Sequence, residues 1–202
     1  MNHIGTRRIE TERLILRKFS IEDAPDVYSN WLSDPAVAMY MQWDAHADVE
    51  QTKEYVVRFY IEGYEKLDFY RWAITRKEDN GVIGSVGFHI LSDFDSVADV
   101  SYALSKTFWN KGIMSEALTA VVAYAFHEVG VNRLEAFHAV SNAGSGKVLQ
   151  KAGMKPEGHA RQKYRDKQKG FMDCDLYAVL RDDFVLANSG HNEGNQADGD
   201  RM

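Results

Sequence analysis

Trp109-Asn110-Lys111-Gly112-Ile113-Met114-Ser115-Glu116-Ala117 stands between two stretches of different periodicity. Ahead of it, Asp99 to Leu104 (DVSYAL) reads as a strand. Behind it, apolar residues fall at 114, 118, 121, 122, 125 and 129. That spacing predicts a helix from Met114 to Val129 with one buried face over about four turns. Strand, tight turn and helix in this order leave the first N–H groups of the helix without partners inside it. Such an end attracts anions, diphosphates in particular, through converging N–H groups and the positive end of the helix dipole. Gly112 admits a phosphate where a Cβ would obstruct it. The turn is neither a GxxxxGK phosphate loop followed by Ser or Thr nor a GxGxxG dinucleotide turn.

A second stretch works with the first. Arg133 to Val140 (RLEAFHAV) alternates as a strand and runs into Ser141-Asn142-Ala143-Gly144-Ser145-Gly146-Lys147-Val148-Leu149-Gln150-Lys151-Ala152-Gly153-Met154. Together the two stretches resemble the GCN5-related N-acetyltransferase (GNAT) superfamily. Trp109, Gly112 and Met114 stand at the three specified places of its acyl-CoA signature, Q/R-x-x-G-x-G/A. Asn142, Ser145 and the run Lys151-Ala152-Gly153-Met154 are similar to its NxxS…KxGF element. Within the superfamily the likeness is to the RimJ/RimL-type N-acetyltransferases. It includes the opening Ile9-Glu10-Thr11-Glu12-Arg13-Leu14-Ile15-Leu16-Arg17 and the closing strand Asp173 to Leu180. Asn110 stands where Gly is usual and Met114 where Gly or Ala is usual.

The rest of the chain fits that order. Arg13–Lys18 reads as a first strand, and Ser20 with Asp23 caps a helix through about Ser33. Ala36–Ala47 is aromatic and Met-rich, and Asp48 caps a second helix to about Tyr64. Strands Phe69–Thr75 and Val82–Leu91 are joined through Asn80-Gly81, a hairpin signal. Two strands, Gly158–Lys163 and Phe171–Leu180, close the fold around the polar segment Asp166–Gly170. The expected class is α/β (α+β by some schemes): the GNAT fold, a mixed, mostly antiparallel twisted sheet of about seven strands flanked by about four helices. One acetyltransferase domain over residues 8–187 is expected, with 188–202 a disordered tail on composition.

Composition limits the partners. A formal net charge of −6 over 202 residues argues against a nucleic-acid backbone as ligand. No run of eighteen apolar residues offers a membrane span, and residues 1–10 hold no apolar leader region. The single cysteine, Cys174, excludes an internal disulfide and a Cys-based zinc site. Within an alternating strand it reads as a packed thiol. The seven histidines show no metal-ligand spacing, so no metal is expected. His89 and His138, on strands, read as core histidines ahead of bases. These features fit a protein of a reducing cytoplasm.

The resemblance implies the chemistry: transfer of an acetyl group from acetyl-CoA to a primary amine, directly within a ternary complex. Positioning both reactants can itself account for about 7–11 kcal/mol of the barrier. The cofactor set implied is Tyr102, Ala103 and Leu104 along the pantetheine arm, Asn110, Lys111, Gly112, Ile113, Met114 and Ser115 at the diphosphate, and Asn142 and Lys147. Many GNAT enzymes place a Tyr seven residues after the motif's Asn to protonate the thiolate. Leu149 occupies that place, and Ser145 is the substitute. Asn142 and Ser145 also read simply as a helix cap and a first-turn residue. Asp99 is the candidate base, or else a polar residue at a strand's start. A free α-amine near pKa 7.7–8.0 costs about 1 kcal/mol to deprotonate at pH 7, a lysine about 4–5. Met39, Tyr40, Met41 and Trp43 read either as core or as the acceptor wall. The acceptor expected is the N-terminal α-amine of a protein or peptide. A polyamine, an aminoglycoside, or a non-catalytic acyl-CoA sensor are the alternatives, and a homodimer stands open.

Overall fold

The computed structural model describes residues 1–166 and 170–184. Its strands are β1 (Ile9–Glu10), β2 (Leu14–Arg17), β3 (Tyr70–Arg76), β4 (Val82–Ser92), β5 (Val97–Leu104), β6 (Arg133–Ala139), β7 (Lys155–Asp166) and β8 (Gly170–Leu180). They form one sheet of 8 strands in the order β1-β2-β3-β4-β5-β6-β8-β7. All neighbours are antiparallel except β5 and β6. That parallel pair is brief, holding Val97–Asp99 against Arg133–Glu135. Beyond Asp99 the two strands part.

The sheet has one strand more than the sequence suggested. β1 is two residues long, too short for alternation to mark it. β7 starts before the expected Gly158, and register shifts at Pro156/Gly158 and Ala160/Tyr164 blur its pattern. The β3–β4 hairpin closes between Arg76 and Gly81 on the longer loop 77–80, whose last residue, Asn80, takes a left-handed φ of 59°.

Helices cover both faces. On one side lie α1 (residues 21–32), the short α2 (Pro35–Ala38) and α3 (residues 49–65). Asp23 reaches back to accept the N–H of the N-cap Ser20 at 2.8 Å, as in a capping box, and the N-cap Asp48 accepts the Gln51 N–H at 2.8 Å. α2 falls within the Ala36–Ala47 segment, where Asp34 caps it through the Ala36 N–H. On the other side lie α4 (residues 113–129) and α5 (Ala143–Lys151). α4 ends at Gly130 with φ 83°, the left-handed C-terminal stop.

Two cores result. Leu14, Leu16, Tyr70, Trp72 and Phe88 pack with Leu118, Val121, Val122 and Leu149 beneath α4 and α5. Trp31, Leu32, Val56 and Tyr60 pack on Ala73, Val82 and Ala103 beneath α1 and α3. Residues of β5 therefore alternate: Ala98, Val100 and Leu104 face the first core, Ala103 the second. Cys174 is buried, a packed thiol as its strand position implied. His138 is also buried, its Nδ1 on the Ala139 carbonyl at 2.8 Å. Residues 167–169 of the closing loop and the expected tail 188–202 lie outside the described residues.

Candidate active site

The turn that opens α4 is built on two left-handed residues, Asn110 at φ 60° and Gly112 at φ 75°. Asn is among the few side chains that tolerate this region, which explains how it stands where Gly is usual. The Trp109 indole N–H donates to the Leu104 carbonyl at 2.9 Å and ties the turn to the end of β5. The first bond within the helix runs from the Glu116 N–H to the Gly112 carbonyl at 3.0 Å. The N–H groups of Ile113, Met114 and Ser115 thus precede the helical ladder. The Met114 side chain is turned into the core, so only its backbone can serve at this end.

Glu116, in the first turn, braces the site from behind. It accepts from the Thr11 hydroxyl at 2.6 Å, the Arg13 N–H at 2.9 Å and Arg13 Nε at 2.6 Å. Burial pushes its carboxyl up, but those donors outweigh burial and hold it below the usual range. Arg13 also donates to the Lys111 carbonyl at 3.1 Å. This brace joins residues about a hundred positions apart, and nothing local in the sequence announced it.

Beside the turn, the β5 edge from Val100 to Leu104 is unpaired by β6. Tyr102 leans toward the α4–α5 side. Its hydroxyl lies 2.7 Å from Ser145 Oγ and 3.1 Å from the Ser145 carbonyl. Burial pushes the Tyr102 phenol up to about 12, so it stays a proton donor through the neutral range. Asn142 caps α5, its Oδ1 accepting from the Ser145 N–H at 3.4 Å. The cap and the first-turn residue are both present, and Ser145 keeps a hydroxyl partner besides. Leu149 is core, and Lys147 and Lys111 are exposed.

The opposite face of the sheet carries a row across three strands: Arg71 on β3 opposes Gly87 on β4, which opposes Ser101 on β5. A Cβ at Gly87 would collide with the Tyr70 carbonyl and come within 2.8 Å of Arg71 Cδ. Its absence lets the arginine cross β4 and donate from Nη1 to Ser101 Oγ. Above this row is a cavity of about 80 Å³ lined by Met41, Trp43, Tyr55, Tyr60, Arg71 and Ser101, among others. Of the four wall candidates, Met41 and Trp43 line it. Met39 is exposed, and the Tyr40 hydroxyl donates to the Ser141 carbonyl at 3.4 Å.

Asp99 shares the face of Ser101, two residues earlier. It sits two residues into β5, where β5 and β6 part. Burial pushes its carboxyl up, while His89, Arg71 and a backbone donor pull the other way and leave it raised. His89 Nδ1 lies 3.8 Å from Asp99 Oδ1 on a ring that is 71% exposed. His89 is therefore not a core histidine. Among the described residues no group of three His, Cys, Asp or Glu is placed to hold a metal ion, and no helix is long and apolar enough to cross a membrane.

Comparison with known proteins agrees with this geometry. Residues 13–155 match the family model for the acetyltransferase (GNAT) domain. An uncharacterized N-acetyltransferase, p20, of Bacillus licheniformis is 33% identical over 179 residues, covering 87% of this chain and 97% of its own. The fold is similar to a GNAT-family acetyltransferase from Bacillus anthracis, with a TM-score of 0.76 and 25% identity over 87% of this chain and 99% of that one. It is also similar to a ribosomal-protein-S5-alanine acetyltransferase from Vibrio fischeri, with a TM-score of 0.76 and 22% identity over 88% of this chain and 98% of the other. A left-handed turn at the head of α4, a parted pair of strands beside it and a matching family model lead to one assignment: this chain belongs to the GNAT family of N-acetyltransferases, enzymes that take acetyl-CoA as co-substrate.

Proposed function

We propose that the protein acetylates the N-terminal α-amine of a protein or peptide in the manner of the RimJ/RimL-type enzymes. The observation that carries this reading is the parting of β5 from β6 after Asp99. It leaves a strand edge open beside the α4 N-terminus, with one polar group set on each face of the sheet. The name of the Vibrio fischeri protein, which refers to an alanine of a ribosomal protein, supports the choice of acceptor class.

The N–H groups of Ile113 to Ser115, preceded by Lys111, hold the diphosphate, and Asn110 and Gly112 keep the turn open for it. The free edge of Tyr102 to Leu104 pairs with the pantetheine arm as an added strand would, while Asn142 and Lys147 flank it from α5. Acetyl-CoA supplies an activated acyl carbon. The acceptor nitrogen attacks that carbon, a C–N bond forms and the C–S bond breaks. Asp99 receives the amine's proton through water on the α1–α3 face. The Tyr102–Ser145 pair delivers a proton to the leaving sulfur from the α4–α5 side. Tyr102 thereby replaces the tyrosine that Leu149 displaces. Met41 and Trp43 form the apolar wall for the acceptor's first side chain, with Met39 and Tyr40 at its rim.

Release of CoA thiol in the presence of acetyl-CoA tests this reading across three acceptor sets: peptides with a free N-terminus, spermidine, and an aminoglycoside. Turnover with the peptides supports it. Turnover only with the small amines replaces the acceptor. Acetyl-CoA binding without any turnover would make the protein a sensor.

A further inference from the structure

Arg71 is a cation with no carboxylate at ion-pair distance among the described residues. Its side chain donates instead to a neutral partner, Ser101 Oγ. Elsewhere on the molecule Arg13, Arg17, Arg76 and Arg133 each hold a carboxylate. Arg71 is partly buried and opens into the cavity lined by Trp43, Tyr55, Phe59 and Tyr60. Taking a charge out of water without a directly paired carboxylate is costly, and folding has nevertheless given this one a built path. Gly87 clears the way for its stem, and Ser101 fixes its head.

The carboxylate whose charge reaches Arg71 among the described residues is Asp99, two positions from Ser101 on the same face and beyond ion-pair distance. Burial pushes the phenols of Tyr55 and Tyr60 up, so both face Arg71 as neutral hydroxyls. The guanidinium is thus a planar fork of donors set in a recess of aromatic rings and neutral hydroxyls, an arrangement that suits a carboxylate. A volume of about 80 Å³ is roughly that of two or three waters. It admits a carboxylate on a short stem and leaves the rest of the acceptor outside. Ser101 and Asp99 are two positions apart on β5, about 7 Å along the strand. One residue's length therefore connects the recess to the candidate base.

We propose that Arg71 anchors a carboxylate of the acceptor, so that the preferred substrate is an amine carrying an acid group within one residue of the reacting nitrogen. The proposal rests on reading this face as the acceptor side. The acid is either the side chain of a peptide's first residue or the α-carboxylate of a free amino acid. Polyamines and aminoglycosides, being cationic, are disfavoured at the same point by like charge.

The test uses the full chain and four acceptors in two matched pairs. The first pair is a Glu-initiated and a Gln-initiated peptide with amidated C-termini; the second is free glutamine and glutaminamide. The carboxylate member of one pair is expected to exceed its partner in kcat/KM by about ten- to a hundredfold, the scale of a hydrogen bond to a charged group. The pair that shows the preference identifies the source. Arg71→Gln should reduce that ratio to near one, and Arg71→Lys should restore part of it. Retained stabilisation by acetyl-CoA shows that each variant is folded. A wild-type ratio near one in both pairs, or a ratio unchanged in Arg71→Gln, overturns the proposal. If no acceptor is turned over, the proposed function fails instead, and calorimetric binding of the same four compounds to the CoA-loaded protein decides the inference. Binding of a carboxylate member that is lost in Arg71→Gln supports it, and equal or absent binding across the pairs contradicts it.

Discussion

The hydroxyls of Tyr102 and Ser145 lie 2.7 Å apart and join the open edge of β5 to the first turn of α5. With its phenol raised to about 12 by burial, Tyr102 remains protonated where an ordinary tyrosine begins to ionise. Tyr102→Phe should lower kcat by about a hundredfold, the lower end of the range for a positioned proton donor. Acetyl-CoA affinity should stay near wild type. Ser145→Ala should act in the same direction, and the double variant should lose less than the two losses combined. Steady-state kinetics on the four proteins checks this. Additive losses would separate the two hydroxyls.

Asp99 yields a prediction with a defined sign. Its folded-state pKa is raised, burial being the main cause, so the folded protein binds this proton more tightly than the unfolded chain. Stability from this group is therefore greatest at low pH. It falls as pH rises from the ordinary carboxylate value through the raised one. Asp99→Asn should leave the melting temperature at pH 7 equal or higher while lowering kcat/KM by about a hundredfold. A lower melting temperature with activity intact would make Asp99 structural.

Gly112 takes a left-handed φ of 75°, so its replacement has two effects. Gly112→Ala should lower stability by about 1–2 kcal/mol, because a Cβ is disfavoured in that region. It should also weaken acetyl-CoA binding. The added Cβ itself meets nothing closer than Arg13 Nη2 at 3.6 Å, so the protein still folds. Denaturant unfolding and calorimetry measure the two effects separately.

Two tryptophans contrast wall with core. Trp72 is 0% exposed, and Trp72→Ala should lose about 3–5 kcal/mol. Trp43 lines the cavity and is only partly buried. Trp43→Ala should mainly raise the KM of the acceptor and cost less stability. Equal destabilisation by the two variants would place Trp43 in the core.

Local signals were legible in the sequence: the α4 periodicity, the caps at Ser20 and Asp48, the Asn80-Gly81 turn and the alternation that buries Cys174. Each depends on neighbours within a few residues. β1 escaped notice because two residues carry no period, and α2 because one short turn of helix looks like loop. The side-chain partnerships needed the fold. Arg71, Gly87 and Ser101 meet only through strand register, and Tyr102 meets Ser145 across 43 positions. The resemblance pointed to Ser145 but not to Tyr102 as its partner, since its own tyrosine position is filled by Leu149.

The central claim is direct transfer from acetyl-CoA to a terminal α-amine, and site mapping tests it most directly. A peptide with a free N-terminus and an internal lysine is incubated with the protein and acetyl-CoA, then sequenced by tandem mass spectrometry. The account predicts one acetyl group on the α-amine, none on the lysine, and CoA released in equal amount. Acetylation of the lysine alone, or turnover of spermidine with the peptide untouched, would contradict it.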